Sequence, residues 1–396
     1  MKNIFLWQAE PDWTNGITEI LEWKTDILQS YSGAEQRIAR RLSPRRTFEF
    51  SILINGNERA RFENRLAFVG GNSWYFPIYT DVTYLNDAVN TGAIVLPCST
   101  VGRNFVVGNK VLIKSEINNV NQTALFEVAA IGTDSITLVN PVKAKFLAGA
   151  CIYPIRLAVL TDAPELTRHN DDLLSAQIRF RISEHNAFGN DISHLPVYRH
   201  FPVLTMHPDW SESLKGRYER VLLELDNGSG IPKRLDTARL PFFVQEFRWF
   251  LTERNEQMQL RQLFYYLNGC QKNIWVSSQA SDFNVLAVDG RVLEVENTGF
   301  NEIGLMPSRK DLVINLCNGN ELYRRIELVA IVSDEIERLL LNEPINVNAD
   351  DILSVSFLTL CRLNSDAVSW KHVTDADGLA NITCSFRGVR DELESI

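Results

Sequence analysis

No apolar run in this chain approaches the roughly 20 residues that a membrane-crossing helix requires. The opening Met1 to Trp7 has one lysine and only four consecutive apolar residues before Gln8. That is too short for a secretory signal, so nothing is expected to target the chain for export or to a membrane. Positive charge is also in deficit: 40 Lys and Arg stand against 49 Asp and Glu, a net charge of −9. Sequence-specific nucleic-acid binding depends on cations meeting phosphates, and this balance argues against it. Cysteine is sparse. Cys98, Cys151, Cys270, Cys317, Cys361 and Cys384 form no CxxC pair, which excludes a disulfide scaffold. Cys151, Cys317, Cys361 and Cys384 fall in apolar alternation and are expected as buried, reduced thiols of a protein made in a cytoplasm.

Reactive constellations are equally thin. Four of the six histidines, His185, His194, His200 and His207, are spaced by nine, six and seven residues, a pattern that matches no zinc site. They share their stretch with Asn186, Gly189-Asn190, Pro196 and Pro202, which reads as an exposed linker. Asp162, His169, Asp171, Asp172 and Ser175 contain the residue types of a hydrolytic triad, but no nucleophile elbow surrounds the serine. Gly228-Ser229-Gly230 lacks the Gly-Lys-Ser/Thr ending of a phosphate loop and reads as a turn. No catalytic, cofactor-binding or metal-binding residue is assigned, and the chain is not expected to be an enzyme.

What the chain does contain is an internal echo. Residues 11–50 and 208–247 align without a gap at an offset of 197 and share eleven identities: Pro11/Pro208, Asp12/Asp209, Trp13/Trp210, Glu22/Glu219, Leu28/Leu225, Ser32/Ser229, Gly33/Gly230, Arg37/Arg234, Pro44/Pro241, Glu49/Glu246 and Phe50/Phe247. Chance pairing of segments this long gives roughly two or three matches. The correspondence continues with drifting offset through Trp74/Trp275, Pro141/Pro344 and Phe180-Arg181/Phe386-Arg387. A composition of 45% apolar and 22% charged residues supplies two packed cores. Two tandem homologous domains, 1–184 and 208–396, joined by a linker over 185–207, are therefore expected.

Each half reads as mainly β with one packed helix. Thr47 to Ile54 alternates as a strand; residues 58–69 then place Phe62, Leu66 and Val69 on one helical face before the Gly70-Gly71 stop. Residues 253–267 do the same with Leu260, Leu263, Phe264 and Leu267 before Asn268-Gly269. A strand headed by Trp74 or Trp275 follows each helix. Further strands are expected over Phe105–Ser115, Ala124–Ile131, Ser135–Val139 and Ala150–Leu160, and over Leu312–Cys317, Arg325–Val332, Ile336–Leu341 and Ile352–Leu360. Many short strands with a single helix describe a β-sandwich or barrel. The absence of βαβ alternation argues against a nucleotide-binding parallel sheet.

Arg37, Arg40, Arg41, Arg45 and Arg46 crowd one stretch, where they offer contacts to phosphates or an acidic partner, or simply form a solvated helix end and strand entry. Arg234 and Arg239 persist in the second half, whereas Phe242 and Phe243 replace Arg45 and Arg46. Trp7, Trp13, Trp23 and Trp210 are among eight tryptophans that suit large interfaces, and the recurring Trp13, Trp74, Trp210 and Trp275 equally suit two domain cores.

The segments Thr25-Asp26-Ile27-Leu28, Gly33-Ala34-Glu35-Gln36-Arg37 and Pro44-Arg45-Arg46 resemble an N-terminal signature of tail proteins from long-tailed bacteriophages. The helix end Leu66-Ala67-Phe68 before an aromatic strand is similar to the tube-like domains of distal tail and baseplate hub proteins. Phe105, Gly108, Val111, Glu127-Val128, Ile136-Thr137-Leu138, Pro141, Gly149-Ala150 and Ile152-Tyr153-Pro154 echo the same domains. The second half departs from the signature, reading Gly230-Ile231-Pro232-Lys233-Arg234. The resemblance implies a structural virion protein of the tail tip, of distal tail or hub type, in a trimeric or hexameric ring that meets the tail tube protein and other baseplate proteins. Such a protein is made in the host cytoplasm and resides in the virion tail, where the genome passes through the lumen. The alternative is a receptor- or carbohydrate-binding β-sandwich module of the tail. Interface candidates are Trp13, Arg37, Arg40, Arg41, Arg45, Arg46, Trp74, Trp210, Arg234 and Trp275.

Overall fold

Period-two alternation becomes strand almost wherever it occurs in this chain. The computed structural model describes residues 4–69, 71–117, 120–306, 308–374 and 378–390. The architecture is mainly β, with 47% strand and, among the described residues, three α-helices. In chain order the elements are β1 (Ile17–Glu22), β2 (Thr25–Gln29), β3 (Glu35–Ala39), β4 (Arg45–Ile54), α1 (Gly56–Val69), β5 (Trp74–Pro77), β6 (Val95–Pro97), β7 (Lys110–Ile117), β8 (Val120–Ile131), β9 (Ser135–Leu138), β10 (Cys151–Leu160), β11 (Leu166–Arg168) and β12 (Leu174–Ile182). They continue with β13 (Gly216–Glu219), β14 (Leu222–Leu225), β15 (Lys233–Asp236), β16 (Phe242–Leu251), α2 (Arg254–Leu267), β17 (Ile274–Ser277), β18 (Val292–Glu296), β19 (Asp311–Leu316), β20 (Glu321–Ser333), β21 (Ile336–Leu341), β22 (Ile352–Leu363), β23 (Ala367–His372) and β24 (Ala380–Gly388).

In the first half, β1, β4, β12, β10 and β5 lie side by side. The long β10 then carries over into a second layer, β7, β8, β9 and β6. In the second half, β13, β16, β24, β22 and β17 lie side by side, and β22 carries over into β19, β20, β21 and β18. Each half adds a separate hairpin, β2–β3 or β14–β15. One helix packs on the first sheet of each half. Phe62 and Val69 of α1 join a core with Trp7, Trp74, Phe76 and Phe180, while Leu260, Leu263, Phe264 and Leu267 of α2 join Trp249, Trp370 and Phe386. Aromatic edges meet faces at both places: Trp7 lies 4.8 Å from Phe180 and Phe264 lies 6.0 Å from Trp370, the geometry that ring quadrupoles favour.

Several expectations need correction. Phe105–Asn109 is not strand, because Gly108 (φ +83°) closes a turn in which the Asn109 amide donates to the Val106 carbonyl. The arginine-rich stretch is no helix end; it runs along β3, a turn and β4. Cys317 is exposed at the β19–β20 turn rather than buried. The second half also has an extra short helix, Phe300–Ile303. The four histidines of 185–207 are exposed, yet this stretch is packed elsewhere: Leu195, Val203 and Leu204 are buried, and the Trp275 indole donates to the Tyr198 carbonyl at 2.8 Å. Gly70 of the expected helix stop, and the chain ends at Met1–Asn3 and 391–396, lie outside the described residues. No helix among the described residues is long and apolar enough to cross a membrane.

The halves are joined through β1. It pairs with β4 on one edge and with β23 of the second half on the other, from Ile17↔His372 to Glu22↔Ala367. Apolar Ile17 and Leu21 share a face of β1 with Glu19, and all three are buried. Leu21 and Trp23 complete the core of the second half. The Glu19 carboxylate accepts from Arg46 Nε at 2.6 Å, from Arg261 Nη1 and Nη2 at 2.6 and 2.8 Å, and from His372 Nε2 at 2.9 Å. Burial alone would raise the Glu19 pKa, but Arg261 and Arg46 hold it well below the usual carboxylate range. Burial depresses the His372 pKa against the opposing pull of Glu19, so the neutral imidazole donates its Nε2 proton. Around this centre, Arg254 at the start of α2 donates to the Thr80 carbonyl at 2.6 Å and pairs with Asp81.

Removing one partner of a buried ion pair typically costs about 3–5 kcal/mol, because the other charge is stranded. Glu19→Ala is expected to lower stability by about that amount, read from denaturant midpoints. The pH dependence follows from the two shifts. Both groups have folded values below their ordinary ones of 6.5 and 4.5, so the unfolded chain binds more protons as acid is added. Stability should be full above pH 6.5, fall as His372 protonates, and fall again as Glu19 does. His372→Gln should remove the upper limb of that melting profile and leave the lower one.

Candidate assembly surface

The ten residues singled out from sequence fall into three environments. Trp74, Trp275 and Arg46 are almost wholly buried. The two indoles fill sheet cores and Arg46 faces Glu19, so none is available to a neighbouring chain and the interface expectation is corrected for these three. Arg37 and Arg41 work inside the chain. Arg37 Nη1 donates to Asn273 Oδ1 at 2.7 Å across the two halves, and Arg41 Nη1 donates to the Glu22 and Trp23 carbonyls at 2.9 and 3.0 Å. The remainder are at least partly at the surface. Arg40 pairs with Asp26 and Arg234 with Glu224, both exposed; Arg45 is exposed at the start of β4, and Trp13 is half-buried in a short turn. Trp210 is 60% exposed.

The β2–β3 hairpin lies on the second half through one face. Thr25 donates its amide and hydroxyl to Asp366 at 2.5 and 2.8 Å, and Arg362 grips the Glu35 carboxylate with two hydrogen bonds of 2.7 and 2.8 Å. Its turn needs Gly33 (φ +86°), where a Cβ would stand 2.2 Å from the Phe242 ring. The opposite face is bare: Leu28 is 63% exposed, with Ile38 beside it and Tyr31 at the tip.

The β14–β15 hairpin has no such bed. All of β14 and three of the four residues of β15 are exposed. Alternation puts Leu223, Leu225 and Leu235 on one face, with Leu223 opposite Leu235. The other face holds the ion pairs Arg234–Glu224 and Arg220–Asp236, at 2.7 and 2.5 Å. Ile231 at the tip is 93% exposed. A two-stranded hairpin is marginal alone in water, and contiguous exposed apolar side chains mark contact surfaces. Sequence reading missed this face, although Leu222-Leu223-Glu224-Leu225 before the Gly228-Ser229-Gly230 turn was its visible sign.

Open strand edges among the described residues include those of β13 and β11. β13 pairs only with β16, and β11 only with β12. Such edges are templates for another strand unless charge or twist blocks them.

The hydrolytic residue types do come partly together, since His169 Nε2 and Ser175 Oγ are 2.8 Å apart in an exposed hairpin. Two of the three candidate carboxylates are engaged elsewhere: Asp172 accepts from the Gly56 amide at the start of α1, and Asp162 from Thr161. Burial pushes the Cys98 thiol up to about 11 and the Cys270 thiol up to about 12, which leaves them weak nucleophiles. No protein-family model matches this chain, and no curated protein matches it.

Leu223→Ser with Leu235→Ser removes exposed area only. The melting temperature should stay near that of the parent, since surface changes are usually within about 0.5 kcal/mol. Binding of an apolar surface dye to the folded chain should weaken; unchanged binding would show that this face is not an accessible apolar surface.

Proposed function

We propose that this chain is a structural protein of a bacteriophage tail tip, a ring-forming distal tail or hub component that joins the tail tube to the host-recognition apparatus. We further propose that its halves are copies of one tube-like β unit. The matching neighbour order of β1–β12 and β13–β24 supports the copy. So do two equivalent hydrogen bonds of 2.7 Å, Asp12 amide to Ser51 carbonyl and Asp209 amide to Arg248 carbonyl, both pairs offset by 197.

The observation that carries the reading is the position of the residues that resemble the phage signature. Gly33 packs on Phe242, Glu35 is gripped by Arg362 and Arg37 reaches Asn273. These residues add to the β1 joint in fastening the first half to the second. A motif whose side chains couple one β unit to the next suits a protein that builds tube walls by repetition. Heterologous contacts of this kind close into rings when the rotation per step permits. Three chains would place six units in a ring, and six chains would make two layers. The outward apolar faces of both hairpins then suit docking to the tail tube protein or a baseplate neighbour, and the acidic balance suits a lumen that does not hold DNA phosphates.

Two measurements test this. Native mass of the purified chain should give a trimer or a hexamer, and gold-labelled antibody should mark the tail tip in micrographs of virions. A strictly monomeric chain that antibody fails to find in any virion would end the proposal.

A further inference from the structure

The joint between the halves has a counterpart that the single chain leaves unmade. In the joint, the first half contributes β1 and the second half contributes β23 and α2. β1 answers to β13, because Glu19 stands opposite Phe48 and Gly216 opposite Gln245, positions 197 apart in β4 and β16. β23 answers to β11, because His372 stands opposite Ala380 next to Leu251, and Arg168 opposite Leu174 next to Ile54. β1 and β23 are each paired on both edges, whereas β13 and β11 each have one partner among the described residues.

The helices carry the same asymmetry. On α2, Arg261 and Tyr265 lie under the first half: Arg261 bonds Glu19 and Tyr265 packs against Trp23 at 5.6 Å. On α1 the corresponding Glu63 meets only its own half, pairing with Arg168 and Arg59, while Ala67 is exposed and Phe68 beside it is 77% exposed. One end of the chain thus presents the strand side of the joint and the other end presents the helix side.

We infer that β13 of one copy pairs antiparallel with β11 of a second copy, repeating between chains the joint that β1 and β23 make within one. The inference rests on the ring-forming reading above and names its contact. Transferring the β1–β23 register gives Leu214↔Arg168, Lys215↔Thr167, Gly216↔Leu166 and Arg217↔Glu165. The last pair places opposite charges directly across the ladder, a favourable cross-strand arrangement. The site equivalent to Glu19 is Gly216, so no buried carboxylate forms. This contact is polar where the internal one is apolar and ionic, and it should be weaker and salt-sensitive.

The test uses the full chain in a Cys317→Ser background, because Cys317 is the exposed thiol. Thr167→Cys and Lys215→Cys variants are mixed and treated with a short bismaleimide. Because Thr167, Lys215, Glu165 and Arg217 are all exposed, every variant should melt like the parent. Cross-linked dimer is expected from the mixture and not from either variant alone. Arg217→Glu should weaken association at least tenfold, and adding Glu165→Arg should restore it. Oligomers that form without cross-linking and ignore both charge changes would overturn this joint while leaving the ring reading intact. A chain that is monomeric at all concentrations and never cross-links would overturn both.

Discussion

A carboxylate removed from water is the constraint around which this molecule is organised. Ionised Glu19 in the interior would cost several kcal/mol of lost hydration if left alone. It is tolerated because Arg46, Arg261 and His372 all donate to it. These donors come from β4, α2 and β23, two of them in the other half of the chain. Without the second half Glu19 would keep only Arg46, and without the first Arg261 would lose the carboxylate that faces it. The β1–β23 ladder and the packing of Leu21 and Trp23 supply the apolar burial; the ion cluster makes any other docking of the halves expensive. A greasy contact could slide, but this one has a single register.

The elements of each half were legible because local pattern determines them. Phe48, Phe50, Ile52 and Ile54 alternate on β4, and Leu260, Leu263, Phe264 and Leu267 recur at helical spacing on α2. The joint was not legible from the same signals. Glu19 is 242 residues from Arg261 and 353 from His372, and no periodicity links positions so distant. One hint was present: in Ile17-Thr18-Glu19-Ile20-Leu21 an acid occupies the face that its neighbours mark as buried. Arg46 was noticed only as part of a basic cluster, since composition cannot distinguish a surface guanidinium from one enclosed beside a carboxylate. Trp74 and Trp275 were ambiguous for a related reason, because an indole serves a core and an interface equally well.

The differences between the halves follow from what each must cover. α2 lies beneath the first half and buries Gln257 and Arg261 in addition to its apolar face, whereas α1 buries only Phe62 and Val69. The hairpin β2–β3 has a bed, and its inner residues Thr25, Glu35 and Arg37 each meet a specific partner there. The hairpin β14–β15 has none, and Arg234, the counterpart of Arg37, pairs within the hairpin with Glu224. If the halves are copies of one unit, as proposed, these differences lie where their neighbours differ.

On the proposed reading, open edges must also avoid arbitrary pairing before the chain assembles. An edge as apolar as β1 would recruit any exposed strand it met. β13 instead carries Arg217 and Glu219, already paired with each other at 2.7 Å, and charged Glu165 and Arg168 flank or lie on β11. Charges on an edge discourage arbitrary pairing, and they still permit a partner that presents the opposite sign in register. On the proposed reading, the permanent contact is made once, inside the chain, with a buried ion cluster. The repeated contact is left to exposed charges that exchange with water at modest cost. Copy number is then a matter of the rotation from one joint to the next, a geometric property shared by all the joints rather than one encoded separately at each end.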